Sequence, residues 1–517
     1  MRRRTTYPQD RPVKSEYLER ILKARVYDVA IESPLEPAAR LSRRLGNRVL
    51  FKREDLQPVF SFKLRGAYNR IAHLANAEAV RGVICASAGN HAQGVALAAQ
   101  RRGIRARIVM PRTTPDIKLQ AVRDLGGEID LVGDDYDAAY EHALGLARAE
   151  GLTLIHPFDD PEVIAGQGTI AMEILRQHDE RIDAIFVPVG GGGLIAGIAC
   201  YVKALYPDIR VVGVEPEDAA SMHASLLAGE RVTLERVGIF ADGVAVKRVG
   251  AETFRLAQQY VDEVVLVSTD ETCAAIQDIF EDTRSIAEPA GALAVAGLKK
   301  WVAREGATGR TLVTLNSGAN MNFDRLRHVA ERADLGQLRE ALVAVEIPEQ
   351  PGSFLRFCRT VGTRSVTEFN YRYQDTRRAE IFVGLALAGG AAEKERVLQS
   401  IAAAGFGAVD MSDNEMAKLH VRYMVGGPAH GLAHERLFRF EFPERPGALL
   451  RFLTAIGEAW NISLFHYRNH GSDYGRVLAG IQVPPASEAE FLGHLRELGF
   501  NFVEETGNPA YRMFLGG

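Results

Sequence analysis

The feature that most constrains this chain is a repeat. Val345 to Cys358, VEIPEQPGSFLRFC, returns as Phe440 to Leu453, FEFPERPGALLRFL. The echo continues in Thr367-Glu368-Phe369-Asn370-Tyr371-Arg372 against Ser463-Leu464-Phe465-His466-Tyr467-Arg468, and in Gly405-Phe406 against Gly499-Phe500. An offset held near 95 residues means one structural unit made twice. Each copy reads strand, Pro-Gly turn, helix, two strands, helix, strand, the pattern of a ferredoxin-like βαββαβ unit. Neither copy carries a nucleophile–base pair or metal-ligand spacing, so chemistry is expected elsewhere. A Pro-Gly turn opening a helix can hold a small amino acid by backbone N–H groups. A purely structural dimerisation module is the competing reading.

The preceding two-thirds follow another rhythm. From Gly82, short apolar runs (Val83 to Ala86, Ala106 to Met110, Ile129 to Val132, Leu152 to His156) alternate with helical stretches. Ile185 to Val189, Val211 to Glu215, Glu263 to Ser268 and Leu312 to Leu315 continue as strands. Such alternation predicts an α/β region of open, mostly parallel sheets, with sites at the carboxyl ends of strands. The boundaries expected are 1–330 for this region and 341–413 and 436–510 for the two repeats.

Three stretches of the α/β region carry chemistry. Lys63, in FKREDLQPVFSFKLRGAY, stands two residues after Ser61, which could cap a helix, with little bulk beside it at Gly66 and Ala67. An amine near a helix N-terminus and away from water is disfavoured as a cation, which suits a Schiff-base lysine. A surface lysine is the plain alternative. Ser87-Ala88-Gly89-Asn90 offers a hydroxyl, backbone N–H groups and an amide at a helix start, a place for a carboxylate or simply an N-cap. Gly190-Gly191-Gly192-Gly193-Leu194, between a strand and a helix, lets N–H groups converge on one point and forms a cup for phosphate. No Gly-Lys-Ser/Thr follows, so it is not a Walker loop.

A net charge of -4 gives no basic surplus for nucleic acid, and no apolar stretch approaches bilayer length. The Arg2-Arg3-Arg4 start lacks the apolar run of a secretory signal. Four scattered cysteines without a CxxC pair, and 13 histidines without HExxH, favour reduced thiols over disulfides or a metal site. A cytoplasmic protein without bound metal is expected.

In order, SFKLRGAY, SAGNHAQG, IAGQGT, PVGGGGLIAG, AEPAGALA and NSGAN resemble the motifs of fold-type-II pyridoxal-phosphate enzymes. From about Tyr7 onward the chain resembles the family of biosynthetic threonine deaminases, whose repeats resemble amino-acid-binding ACT-like domains. The resemblance implies a tryptophan synthase β-like fold followed by two α+β ferredoxin-like domains, and pyridoxal 5'-phosphate as cofactor. It implies Lys63 as the Schiff-base lysine, Asn90 at the cofactor's phenolic oxygen, Gly190 to Leu194 around its phosphate and Ser317 at its ring nitrogen. Ser87, Ala88, Gly89 and Asn90 would take the substrate carboxylate. Asn316 departs from the apolar residue expected beside Ser317.

The implied reaction is deamination of L-threonine to 2-oxobutanoate and ammonia, inhibited by isoleucine and relieved by valine, in a homotetramer. Tyr371 and Tyr467, equivalent in the repeat, are candidates for effector contacts, with buried core aromatics the competing reading. A serine-preferring dehydratase and a non-catalytic amino-acid sensor are the alternatives. Threonine synthase is less favoured because no second phosphate cup is visible.

Overall fold

A computed structural model describes residues 16–515 except 135, 239, 374–376, 425–428, 430–431, 444–447, 457–459, 469–473, 498–500, 510 and 512–514. The chain divides into two compact units, 1–336 and 337–517. The helix Arg325–Gly336 closes the first, so a boundary at 330 would cut through it. Gly336 ends that helix where a Cβ would fall 2.0 Å from the carbonyl oxygen of Asp270, a close approach that ties the helix to the first unit.

Among the described residues, the first unit contains two sheets. The larger runs Leu35–Pro37, Arg48–Arg53, Thr311–Asn316, Ala184–Pro188, Arg210–Pro216, Glu263–Val267, parallel except for its first pair. The smaller runs Glu128–Leu131, Ala106–Met110, Val83–Ala86, Thr153–Leu154, all parallel. Continuous apolar runs such as Ala184–Pro188 are buried along their length because helices cover both faces of a parallel sheet. The run expected over Leu152 to His156 pairs only at Thr153–Leu154. Beyond it the chain turns, because His156 Nδ1 accepts from the N–H groups of Phe158 (3.2 Å) and Asp159 (2.8 Å).

The second unit is one antiparallel sheet of both repeats, ordered Gly407–Asp410, Glu340–Pro348, Arg378–Ala386, Val366–Arg372, Asn461–Arg468, Tyr474–Gln482, Glu435–Pro443, Asn501–Glu504. Each copy contributes strand–helix–strand–strand–helix–strand, as the repeat requires. They join edge to edge, Phe369 opposite Tyr467 and Tyr371 opposite Phe465, so each copy covers the other's exposed edge. The second copy's Pro446-Gly447 turn and the Gly499-Phe500 echo lie outside the described residues. No helix among the described residues is long and apolar enough to cross a membrane.

Candidate functional site

Lys63 is the first residue of the helix Lys63–Ala72. Ser61 does not cap that helix: it bridges to Gly318, and its buried hydroxyl has no partner. The helix is instead held by packing and charge. A Cβ on Gly66 would fall 2.7 Å from Val163 O, and one on Gly94 3.1 Å from Leu64 Cα, so small residues let two neighbouring helices press directly on the first turn. Below it Arg65, wholly buried, pairs with Glu54 (2.8 Å) and Glu173 (2.6 Å), and Lys52 also reaches Glu173 (2.7 Å). Burial alone would push the Glu54 carboxyl up, but the Arg65 guanidinium holds it below the usual range. A buried pair is costly to break, so this network fixes where the helix begins.

The Lys63 amine lies 3.5 Å from Pro157 O and 5.3 Å from the Phe62 ring centroid. Burial pushes its pKa down to about 8, against an opposing pull from the charge of Glu288. His91 stays neutral beside it. Burial and the Lys63 charge push its pKa down to about 3, and Nε2 donates to Ile155 O at 2.8 Å.

The Ser87-Ala88-Gly89-Asn90 turn leaves Val83–Ala86 at its carboxyl end and opens the helix Asn90–Arg102. Its four residues are half-buried, and a Cβ on Gly89 would meet nothing within 4 Å, so the turn faces open space. Asn90 donates from Nδ2 to Glu288 Oε1 (2.5 Å) and accepts at Oδ1 from Asn320 (2.7 Å). Ser317 follows the strand Thr311–Asn316, almost fully buried, its hydroxyl donating at 3.5 Å to Ala290 O.

Gly190 to Leu194 leave the strand Ala184–Pro188 and open the helix Gly193–Leu205. Gly192 takes φ 95, a left-handed conformation that glycine adopts without strain. A Cβ on Gly191 would fall 2.1 Å from the Phe158 ring, so the loop is walled on that side. The first-turn N–H groups of this helix have no acceptor within it and carry its positive dipole end.

Lys63, Asn90 and Ser317 thus converge through short contacts among the 61–63, 288–291 and 317–320 segments. Phe62 N donates to Ser317 O (3.2 Å), and Ser317 N to Gly291 O (3.4 Å). The phosphate-cup glycines join the same site through the 156–160 turn, which carries both Pro157 and Phe158. The residues fit the expected cofactor on structural grounds: a half-buried amine with a lowered pKa, a helix N-terminus for a phosphate, and a buried hydroxyl with only a long bond. Buried polar atoms without partners, Ser61 Oγ and both side-chain atoms of Asn316, lie in the flanking segments.

Glu288 was not singled out from sequence. Standing before Pro289, it reads as an N-cap, yet it makes no cap bond and faces Asn90. Burial, with Asp242 adding to it, pushes its pKa up to about 7. The signal available was a carboxylate inside AEPAGALA, indistinguishable there from a cap.

Tyr371 and Tyr467 are buried in the core of the second unit. Tyr371 donates its hydroxyl to Glu349 and packs edge-on against Phe354 at 4.8 Å between ring centroids. Asn461, from the other copy, donates to the same Glu349 at 3.2 Å.

Residues 26–318 match the model of the family described as pyridoxal-phosphate dependent enzyme. Residues 331–421 and 426–515 each match that of the C-terminal regulatory domain of threonine dehydratase. The chain is 59% identical to the biosynthetic L-threonine dehydratase IlvA of Burkholderia multivorans, covering 97% of this chain and 99% of that protein. It is 56% identical to the Escherichia coli IlvA, covering 98% of each. Among solved structures, the processed form of threonine deaminase isoform 2 from Solanum lycopersicum superposes with a TM-score of 0.63 at 52% identity. That likeness covers 64% of this chain and 92% of that one.

Proposed function

This chain belongs to the pyridoxal-phosphate-dependent biosynthetic threonine dehydratases, and from that premise we propose that it deaminates L-threonine to 2-oxobutanoate and ammonia under isoleucine control. The observation that carries the reading is the Lys63 amine, seated on a clamped helix start and lowered to about 8. An amine in that range is available both as a nucleophile and as a base near neutral pH.

Bound at this site, pyridoxal phosphate supplies an electron sink for bond cleavage at the substrate α-carbon. Lys63 would hold it covalently, and the same amine, when free, would be the base for the substrate α-proton. The N–H groups from Gly190 to Leu194 hold the phosphate. Ser87 to Asn90 receive the threonine carboxylate, whose charge suits the N-terminus of Asn90–Arg102. Asn90 would offer its remaining N–H to the phenolic oxygen. Ser317 offers the ring nitrogen a hydroxyl, which, unlike a carboxylate, does not favour a charged ring. A ring left uncharged would withdraw electrons less strongly, which would suit loss of the β-hydroxyl over racemisation or transamination. The enamine released then hydrolyses to the oxo acid.

The second unit, in this reading, takes isoleucine as inhibitor and valine as its antagonist, with Tyr371 and Tyr467 at the effector sites. The match of both repeats to a threonine dehydratase regulatory domain supports it. Differential affinity of the two effectors for two states of the enzyme would set activity. Domain limits of 341–413 and 436–510, a homotetramer and a cytoplasmic location belong to the same proposal. Four cysteines buried in separate elements fit a reducing compartment.

Assaying purified protein with threonine and with serine, each with and without isoleucine, tests the proposal. Threonine turnover exceeding serine turnover, and suppressed by isoleucine, is expected. Absence of threonine turnover in cofactor-loaded protein would overturn it.

A further inference from the structure

We propose that Glu288 is a positioning residue for this reaction, whose carboxylate locks the Asn90 side-chain amide with its remaining N–H turned to the cofactor. The proposal rests on the reading of Asn90 as partner of the phenolic oxygen. A carboxylate at a helix N-terminus is well placed to accept from the unpaired N–H groups of that helix's first turn. Glu288 precedes Pro289–Glu305 and makes no such bond. Its backbone N–H donates to Gly318 O at 3.0 Å, and its side chain accepts Asn90 Nδ2 at 2.5 Å. A Cβ on Gly318 would fall 2.4 Å from Glu288 Oε1, so only glycine at 318 leaves this carboxylate its place.

The orientation of Asn90 is fixed from both ends. Asn320 Nδ2 donates to Val59 O (2.8 Å) and to Asn90 Oδ1 (2.7 Å), so the Asn90 oxygen faces a donor and its nitrogen faces a carboxylate. Reversing the Asn90 amide would set oxygen against carboxylate and N–H against N–H, losing both bonds. A primary amide has two N–H bonds. One is committed to Glu288, and the geometry leaves the second for the cofactor. The charges that act on Glu288 are Asp242, which disfavours its carboxylate, and Lys118 and Lys63, which favour it, while Asn90 is its hydrogen-bond donor. Without Glu288 the Asn90 amide keeps only the Asn320 bond and is free to turn its second N–H away.

The test is equilibrium binding of pyridoxal phosphate to the full-length apo-protein, followed by visible absorbance. Four proteins are compared: wild type, Glu288→Ala, Asn90→Ala and the double variant. Glu288→Ala should weaken binding by roughly 10-fold, the scale of one hydrogen bond to a charged group. Asn90→Ala should weaken it at least as much, and the double variant no more than Asn90→Ala alone, because Glu288 acts through Asn90. Glu288→Gln keeps the acceptor and the shape, so it should recover affinity to within about 3-fold of wild type. It also serves where Glu288→Ala does not fold. Unchanged affinity in Glu288→Ala, additive losses in the double variant, or no recovery in Glu288→Gln would each overturn the proposal. Unchanged affinity in Asn90→Ala would overturn it together with the Asn90 reading, whereas the other three failures leave that reading standing.

Discussion

The first unit draws the atoms of its proposed site from five separate stretches, at 63, 87–90, 190–194, 288 and 317, each supplied once. The second unit makes one pattern twice and joins the copies at Val366–Arg372 and Asn461–Arg468. Polar groups are used differently in the two. Around Lys63 the amine, the Ser317 hydroxyl and the Asn90 amide keep bonding capacity in reserve. In the second unit Arg372 pairs with Glu435, which also accepts from Ser463 and Tyr511. In the other copy Glu340 accepts from Thr367. These two carboxylates, Glu340 and Glu435 at equivalent places, are thus engaged within the fold. Single-copy atoms held in reserve make chemistry vulnerable to one substitution, while duplicated, internally paired atoms should yield graded responses.

Lys63→Ala breaks the comparison at its sharpest point. Turnover and the visible absorbance of attached cofactor should both vanish, since no other amine can take the covalent role. Substantial activity in the pure variant would mean that the first unit does not depend on this atom. Removing the second unit should be the next largest effect. A protein ending after Gly336, which preserves the last helix of the first unit, should bind cofactor and deaminate threonine without responding to isoleucine. Isoleucine titration of turnover in the folded truncation checks this, and undiminished sensitivity would place the effector site in the first unit.

Gly191→Asp comes third. The new Cβ would strike the Phe158 ring, and the new charge would oppose a phosphate at a helix N-terminus. Cofactor affinity should fall by about 100-fold, judged from overpacking of a few kcal/mol, as read by equilibrium binding. The pH dependence of cofactor attachment is subtler. Lys63 is protonated below its pKa and nucleophilic above it, and that pKa is lowered to about 8. The attachment rate in apo-protein should therefore rise with pH and level off above about 8, where an ordinary lysine would keep rising toward 10.4. The smallest effects belong to the duplicated half. Tyr371→Phe or Tyr467→Phe alone should shift half-inhibition by isoleucine about 3-fold to 10-fold, the scale of one hydrogen bond. Inhibition curves measured for each would show whether the copies share the task.

Much of this was legible because it depends on local pattern. The 95-residue echo dictated two like units, and the Ala184–Pro188 run followed by four glycines dictated a strand, a loop and a helix N-terminus. The resemblance nominated Lys63, Asn90 and Ser317, whose segments the structure brings into contact. Pairwise geometry was not legible. Ser61 has the residue type of a cap and does not serve as one, because a bridge to Gly318 holds it instead. Glu288 also has the position of a cap and faces a residue 198 positions away. In both, a long-range contact overrides a local preference, and one sequence alone carries no mark of which contact wins. The buried Arg65, Glu54, Glu173 and Lys52 cluster was hidden for the same reason: charged residues read as solvated until their partners are known.

The central claim is that one lysine, at the start of one helix, carries the chemistry of the first unit. The most direct measurement is borohydride reduction of the holoenzyme, followed by proteolysis and mass mapping of the fixed cofactor. A single modified peptide containing Lys63 is the result expected. Stoichiometric label on any other lysine, with Lys63 unmodified, would contradict it.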